Sequence, residues 1–290
     1  MQSPRRDLKA ELRAKRMKEL EAYSAEDEVI SSQELQAYYL ATKGAQTYTV
    51  KTGIPTLDKK TEGVQAGELV VISGPTKNGK TELAKTITVN MAADQNANPP
   101  LWISYEVPPR QFVNSFPRGV VPFFWIPKQL HANNLDWLED RCLESHVKHG
   151  TRVIFIDHLH FLFDMARMRN SSLEIGACIR RVKRFAVEFD FAIFLIAHIG
   201  KIDPGERPRI HNLRDSSFVA QEADTVWMLW RELDENGQIG SLARVSIEVH
   251  RRTGVMGWEI PLMLRDGVLV EREESPTYQQ PKSAAKRRRA

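Results

Sequence analysis

The middle of the chain alternates between short, nearly continuous apolar runs and longer stretches in which apolar positions recur at helical spacing. The runs are ELVVIS (68–73), LWIS (101–104), PFFWIP (122–127), RVIFID (152–157), FAIFLIAH (191–198), TVWMLWR (225–231) and RVSIEVH (244–250). A run without polar alternation is what a strand buried on both faces requires. Between these runs, ELAKTITVNMAADQ, LDWLEDRCLESHVKHG and LEIGACIRRVKRFAVEF predict helices. Strand and helix taking turns predict an α/β fold: an open, mostly parallel sheet flanked by helices and joined by right-handed crossovers. No internal repeat is seen.

The two ends follow a different pattern. Residues 1–48 read as a charged helical arm or linker, in which ELRAKRMKELEA and SSQELQAYYLATKG can each form a helix but neither has a wide apolar face. Such a stretch is either a solvated arm or one that docks on a neighbouring subunit. Residues 273–290 carry KRRR just before Ala290 and predict a disordered basic tail. The folded core is therefore expected over residues 49–272.

Composition narrows the picture modestly. A chain of 290 residues can hold one large domain with short extensions, and its net charge of +4 permits a polyanionic partner without requiring one. Cys142 and Cys178 lie far apart and lack metal-ligand spacing, so a reducing compartment is expected. No run approaches the roughly 18 apolar residues of a membrane span. The N-terminus mixes acids and bases and has no apolar secretory segment. His158 and His160 bring no further ligand cluster with them, which argues against zinc.

The strongest chemical signal is GPTKNGKT, residues 74–81, set between ELVVIS and ELAKTITVNMAA. It matches G-x-x-x-x-G-K-[ST] at every fixed position, in the strand-before, helix-after setting that the motif needs. Glycines let the backbone curl so that its N–H groups face phosphate oxygens. Lys80 adds a cation near the terminal phosphates, and the Thr81 hydroxyl suits Mg²⁺. The following helix directs its positive end at the same point. ATP and Mg²⁺ are the expected cofactors. The expected nucleotide contacts are Gly74, Pro75, Thr76, Lys77, Asn78, Gly79, Lys80, Thr81 and Glu82.

Hydrolysis also needs a metal-orienting acid and a group that activates water. Asp157 ends the run RVIFID, where a carboxylate can hold Mg²⁺, partly through water. Glu106 follows LWIS and is the candidate to orient and deprotonate the attacking water. Both lie at the carboxyl ends of expected strands, the edge at which open α/β sheets bind ligands.

Longer stretches resemble the ATPase domain of DnaB-type replicative helicases, with leanings toward Twinkle and the phage primase-helicases. TGIPTLDKKTEGVQAGELVVISG resembles the family's entry segment, SYEVPPRQF its S-L-E-M-x-x-x-Q-L, and FIDHLHFL its I-D-Y-L-Q-L strand. RPRIHNLRDSSFVAQEADTVWMLWRE resembles R-P-x-x-x-D-L-R-E-S-G-x-I-E-Q-D-A-D followed by a strand and Y-R. The likeness runs from about Lys51 to Glu271. It implies a RecA-like P-loop core and supports Glu106 and Asp157 in the roles above. It also makes His198 a sensor of the γ-phosphate and sets Arg231 against adenine. HRRTG (250–254) resembles the segment that reaches into a neighbour's ATP site, which puts the arginine finger at Arg252 in the DnaB register or at Arg251 in the Twinkle-like one. The family lysine there falls on His250 or Val249, a departure in either register.

Two further stretches, DMARMRNSS (164–172) and HNLRDSSF (211–218), are polar loops expected to face a central channel. Arg167, Arg169, Arg214, Asp215, Ser216 and Ser217 suit the phosphate backbone of single-stranded DNA, without a base-stacking platform. The resemblance implies an ATP-driven ring of identical subunits, expected as a hexamer, that moves 5′ to 3′ and unwinds DNA in replication. It also implies a primase or helicase loader as a partner, and the cytoplasm of a bacterial or phage-infected cell is the expected location. Only about 50 residues precede the core, so the chain is expected to be a minimal helicase or to leave priming and loading to other chains. The alternative is a RecA- or KaiC-like DNA-dependent ATPase that acts in recombination or packaging without unwinding.

Overall fold

The computed structural model describes residues 8–25, 28–41, 48–94, 97–116, 121–162, 171–199, 202, 206–212 and 216–278. They fall in two compact units, Met1–Thr47 and Tyr48–Ala290. The first unit contains helices α1 (Leu8–Glu21) and α2 (Ser32–Ala41). Before α2, the Ser31 hydroxyl accepts from Glu34 N at 3.1 Å and the Glu34 carboxylate accepts from Ser31 N at 2.8 Å. This reciprocal cap fixes the helix start.

The second unit opens with β1 (Thr49–Val50), α3 (Pro55–Thr61) and β2 (Val64–Gln65), the two strands pairing antiparallel. The Asp58 carboxylate accepts from Thr52 N, Thr52 Oγ1 and Gly53 N at 2.8, 2.8 and 3.0 Å. That is why TGIPTLD carries a threonine and an aspartate at this spacing: one side chain closes the turn.

The core follows as β3 (Leu69–Ser73), α4 (Lys80–Ala93), β4 (Leu101–Ser104), α5 (Pro109–Asn114), α6 (Leu135–His149), β5 (Val153–Asp157), α7 (Ser171–Glu188) and β6 (Ala192–Ile196). After these come α8 (Ser216–Glu222), β7 (Thr225–Leu233), β8 (Ile239–His250), β9 (Trp258–Arg265), β10 (Val268–Glu271) and β11 (Thr277–Tyr278). The main sheet runs β10-β9-β8-β7-β3-β6-β5-β4, with β11 paired to β9. Strands β7, β3, β6, β5 and β4 are parallel. Alternate residues of β3 enter opposite cores: Val70 and Ile72 pack with Leu83, Ile87 and Met91 of α4, whereas Leu69 and Val71 pack with Ile179 and Val182 of α7. Burial on both faces accounts for the unbroken apolar runs.

The sheet departs from the expected pattern in three places. RVSIEVH is part of the long strand β8, antiparallel to β7. The link between them is only residues 234–238, too short for a crossover helix. The Asp234 carboxylate caps that turn by accepting from Asn236 N and Gln238 N. Strands β9 and β10, which lie outside the apolar runs, meet at Asp266-Gly267, both with positive φ (50° and 83°). This is the two-residue turn whose twist suits a hairpin. PFFWIP forms no strand beyond one bridge between Trp125 and Leu101. Its two prolines lack the N–H groups that a ladder needs, and Trp125 covers the β4 edge through Trp102 N→Trp125 O and Trp125 N→Pro100 O, each 2.8 Å. The predicted tail lies outside the described residues from 279 onward. Within its span, Thr277–Tyr278 pair with β9, and the Tyr278 ring lies 5.6 Å from that of Trp258.

Candidate active site

The loop after β3 turns back on itself with positive φ at Gly74 (149°), Lys77 (62°) and Gly79 (95°). A Cβ on Gly74 would lie 1.9 Å from the Leu229 carbonyl oxygen, so β7 leaves room for glycine alone. Asn78 fixes the loop from inside. Its Oδ1 accepts from Arg231 N at 2.8 Å, and its Nδ2 donates to Thr76 O at 3.0 Å.

Helix α4 starts at Lys80. The Lys80 ammonium is buried and donates to the carbonyls of Gly74 and Pro75 at 3.1 and 2.9 Å. Burial pulls its pKa down to about 8, against the opposing pull of Asp157 and Glu106. Thr81 Oγ1 donates to Asp157 Oδ2 at 3.1 Å. Asp157 is fully buried, and its Oδ1 has no hydrogen-bond partner among the described residues. Burial, with the Glu106 charge second, pushes its pKa up to about 6, while Thr81 and Lys80 oppose the rise.

The sheet register explains the meeting. Ser104 pairs with Asp157, Asp157 with Ile196 and Ile196 with Ile72. Glu106, Asp157, His198 and the loop at 74–81 therefore leave the sheet at one edge. Glu106 is exposed there. The His198 ring lies 4.4 Å from that of His158, between centroids. His158 itself holds φ at 90°, a strained backbone for a residue with a Cβ. In the sequence His158 stands out only as half of a His-x-His pair. Among the described residues, no group of three or more His, Cys, Asp or Glu is placed to hold a metal.

The remaining expected positions divide. Glu82 pairs with buried Lys85 at 3.0 Å. Arg231 is half-buried on β7, its backbone N–H taken by Asn78. Arg252 is engaged within its own chain: Nε to Glu68 and Nη1 to Glu62, both 2.8 Å, and Nη2 to the carbonyls of Thr61 and Gly63 at 2.7 and 2.9 Å. Arg251 is exposed and donates to the Gln221 carbonyl at the end of α8. Arg167, Arg169, Arg214 and Asp215 lie outside the described residues, and Ser216 and Ser217 are the first two residues of α8. Asp224, in the QEAD stretch but given no role by sequence, accepts from Leu69 N at 2.7 Å and Lys183 Nζ at 2.6 Å.

A family model for the DnaB-like helicase C terminal domain matches residues 49–116 and 124–265. The chain belongs to this family. It is 24% identical to the replicative DNA helicase DnaB of Pasteurella multocida over 244 residues, 72% of this chain and 52% of that protein. It is 25% identical to a probable plasmid replicative DNA helicase of Chlamydia psittaci over 214 residues, 62% of this chain and 46% of that one. The chain thus spans about half the length of the curated relatives it matches. Two solved structures share its fold at 19% identity. One is an ATPase domain with a TM-score of 0.70, covering 85% of this chain and all of that one. The other is a DnaB-like replicative helicase, described with its interactions with primase, with a TM-score of 0.66, covering 90% and 71%. The expected RecA-like α/β core is present, with the antiparallel half described above. No described helix is long and apolar enough to cross a membrane.

Proposed function

We propose that the chain is the ATPase motor of a ring helicase. It hydrolyses ATP with Mg²⁺ between its own copies, expected as six, moves 5′ to 3′ on single-stranded DNA and unwinds duplex in replication. The observation that carries the reading is the meeting at one sheet edge of Lys80, Thr81, buried Asp157 and Glu106. Family membership and the names of the relatives support the same activity.

The residues fit an ATP–Mg²⁺ pair. Asp157 Oδ1 is a buried acceptor without a hydrogen-bond partner among the described residues, and Lys80 rests on two carbonyls in the place of an anion. When bound, the metal neutralises charge on the phosphate oxygens. Thr81 and Asp157 would hold it. Lys80 and the backbone N–H groups of 74–81 bind phosphate oxygens, with Glu82 beside them and Arg231 toward the base. Glu106 orients the attacking water and takes its proton. His198 senses the terminal phosphate.

Four hydrogen bonds hold Arg252 within its own subunit, so Arg251 is the arginine we assign to the neighbour's ATP. Arg167, Arg169, Arg214, Asp215, Ser216 and Ser217 are assigned to the DNA backbone, which makes binding salt-sensitive. A primase or loader is the further partner we expect, in the cytoplasm of a bacterial or phage-infected cell. The arm at 1–48 is assigned to docking on a neighbouring copy.

The test is ATP-dependent unwinding of two forked duplexes, one with a 5′ and one with a 3′ loading tail, with Lys80→Ala as the blank. Unwinding that needs the 5′ tail and disappears in the variant bears the proposal out. DNA-stimulated hydrolysis without unwinding of either fork would move the assignment to a RecA- or KaiC-like ATPase.

A further inference from the structure

Residues 251 and 252 are stitched to residues 68 and 69 by two separate routes. In the first, Arg252 Nε donates to Glu68 Oε1 at 2.8 Å. Glu68 is itself held, since its Oε2 accepts from Gln65 N at 2.8 Å and its carbonyl accepts from Ile193 N at 3.0 Å. In the second, the Asp224 carbonyl accepts from Arg251 N at 2.8 Å, while the Asp224 carboxylate accepts from Leu69 N at 2.7 Å and Lys183 Nζ at 2.6 Å. Leu69 is the first residue of β3, and β3 runs directly into the loop at 74–81.

The turn that carries the two arginines is stiff as well. His250 Nδ1 lies 2.9 Å from Thr253 Oγ1 and accepts from Thr253 N at 3.2 Å, and Gly254 N donates to His250 O at 2.9 Å. Arg252 uses four of the five guanidinium N–H donors in these contacts. A planar fork aimed at two carboxylates and two carbonyls at once is a geometry that lysine cannot reproduce.

We infer that Arg252 and Glu68 are positioning residues for Arg251, bracing the turn that offers it to a neighbouring subunit against the strand that feeds the subunit's own phosphate loop. The inference rests on the assignment of Arg251 to the neighbour's ATP. A change in one subunit's loop is then passed along β3 to the turn at 250–254, and so to the adjacent site, through the Arg252–Glu68 ion pair and the hydrogen bonds of Asp224. Arg251 also donates to the Gln221 carbonyl of α8, and α8 begins at Ser216, within the second stretch assigned to DNA. One turn therefore touches the elements assigned to both ligands.

The experiment uses full-length Arg252→Lys and Glu68→Gln, the second leaving the arginine in place. Each should lower DNA-stimulated ATP turnover by roughly ten- to a hundredfold, the range a small misplacement of a catalytic group produces, with KM for ATP changed less than about twofold because the variant's own pocket is intact. The deciding measurement mixes each variant with Lys80→Ala subunits, which bind no productive ATP but carry an undisturbed Arg251. Turnover should then rise above the sum of the two proteins alone, as it should for an Arg251→Ala plus Lys80→Ala mixture run beside it. Recovery in the Arg251 mixture but not in the Arg252 and Glu68 mixtures would overturn the inference and place their effect inside their own subunit. Full turnover in the unmixed variants would overturn it too. No recovery in the Arg251 mixture would remove the assignment to the neighbour's site, and this inference with it.

Discussion

Thr81 Oγ1 donates to Asp157 Oδ2 at 3.1 Å and so joins the first turn of α4 to the buried end of β5. Helix and strand are far apart in sequence, and they meet through one hydroxyl and one carboxylate. The other carboxylate oxygen, Oδ1, has no hydrogen-bond partner among the described residues. An acceptor buried in this way costs stability until a cation or donor reaches it.

Asp157→Asn should therefore separate stability from activity. Asp157 has its pKa raised from an ordinary 3.8 to about 6, chiefly by burial. Because the folded value is the higher one, the contribution of this group is most favourable below pH 4 and is lost as pH rises through about 6. At pH 7 the ionised group destabilises the nucleotide-free protein by about 2–3 kcal/mol. The asparagine keeps an acceptor for Thr81 and removes the charge. Thermal unfolding without nucleotide should shift upward by several degrees, while ATP turnover falls at least a hundredfold. An unchanged or lower Tm would count against the buried charge as the source of the cost.

The same carboxylate sets the acid limb of catalysis. Holding a divalent cation requires the ionised form, so kcat/KM for ATP should fall by about tenfold per pH unit below the free protein's pKa near 6. An initial-rate series from pH 5 to 8 at saturating Mg²⁺ and low ATP measures it. A flat profile down to pH 5 would mean that Asp157 is not the group whose ionisation the site needs.

Gly74→Ala should disable the loop through packing alone. The added Cβ would sit 1.9 Å from the Leu229 carbonyl oxygen, on a backbone with φ at 149°. Either β7 or the loop has to move, at a cost of about 2–4 kcal/mol. Chemical denaturation should show that loss, and nucleotide binding should weaken in parallel. The same substitution at Gly150, where a Cβ meets nothing within 4 Å, should cost less and leave nucleotide affinity alone.

Asn78→Ala tests the tie between loop and sheet. It strands Arg231 N–H, whose acceptor is Asn78 Oδ1 at 2.8 Å. A loss of about 1–2 kcal/mol is expected for that bond. KM for ATP should rise more than kcat falls, because the loop is loosened before any chemistry begins. Asn78→Asp keeps the acceptor for Arg231 N–H but sets a buried carboxylate oxygen against the Thr76 carbonyl that Asn78 Nδ2 donates to, so it should not recover the stability.

Much of the candidate site was legible in the chain. GPTKNGKT sits where a strand hands over to a helix, Asp157 ends the run that forms β5, and Glu106 follows the run that forms β4. Such motifs are local, since a few residues in order carry the whole requirement. The parallel strands were legible for a related reason, because burial on both faces removes polar residues from them. The antiparallel half is harder to read. β9 interrupts its apolar run with Pro261, and β10 is only four residues long, so that Asp266-Gly267 is the one local hairpin signal between them.

Sequence alone determined the phosphate loop, the order of the parallel strands' helices and the acids at their ends, because each depends on neighbours along the chain. Tertiary structure decided what depends on contact at long separation. Arg251 and Arg252 are adjacent and chemically identical in sequence. Folding brings Glu62, Glu68 and two carbonyls around Arg252, about 190 residues away, and leaves Arg251 exposed. A guanidinium with four bonds inside its own subunit is held by that subunit, and no pattern of residue types distinguishes it from its neighbour before the chain has closed those loops.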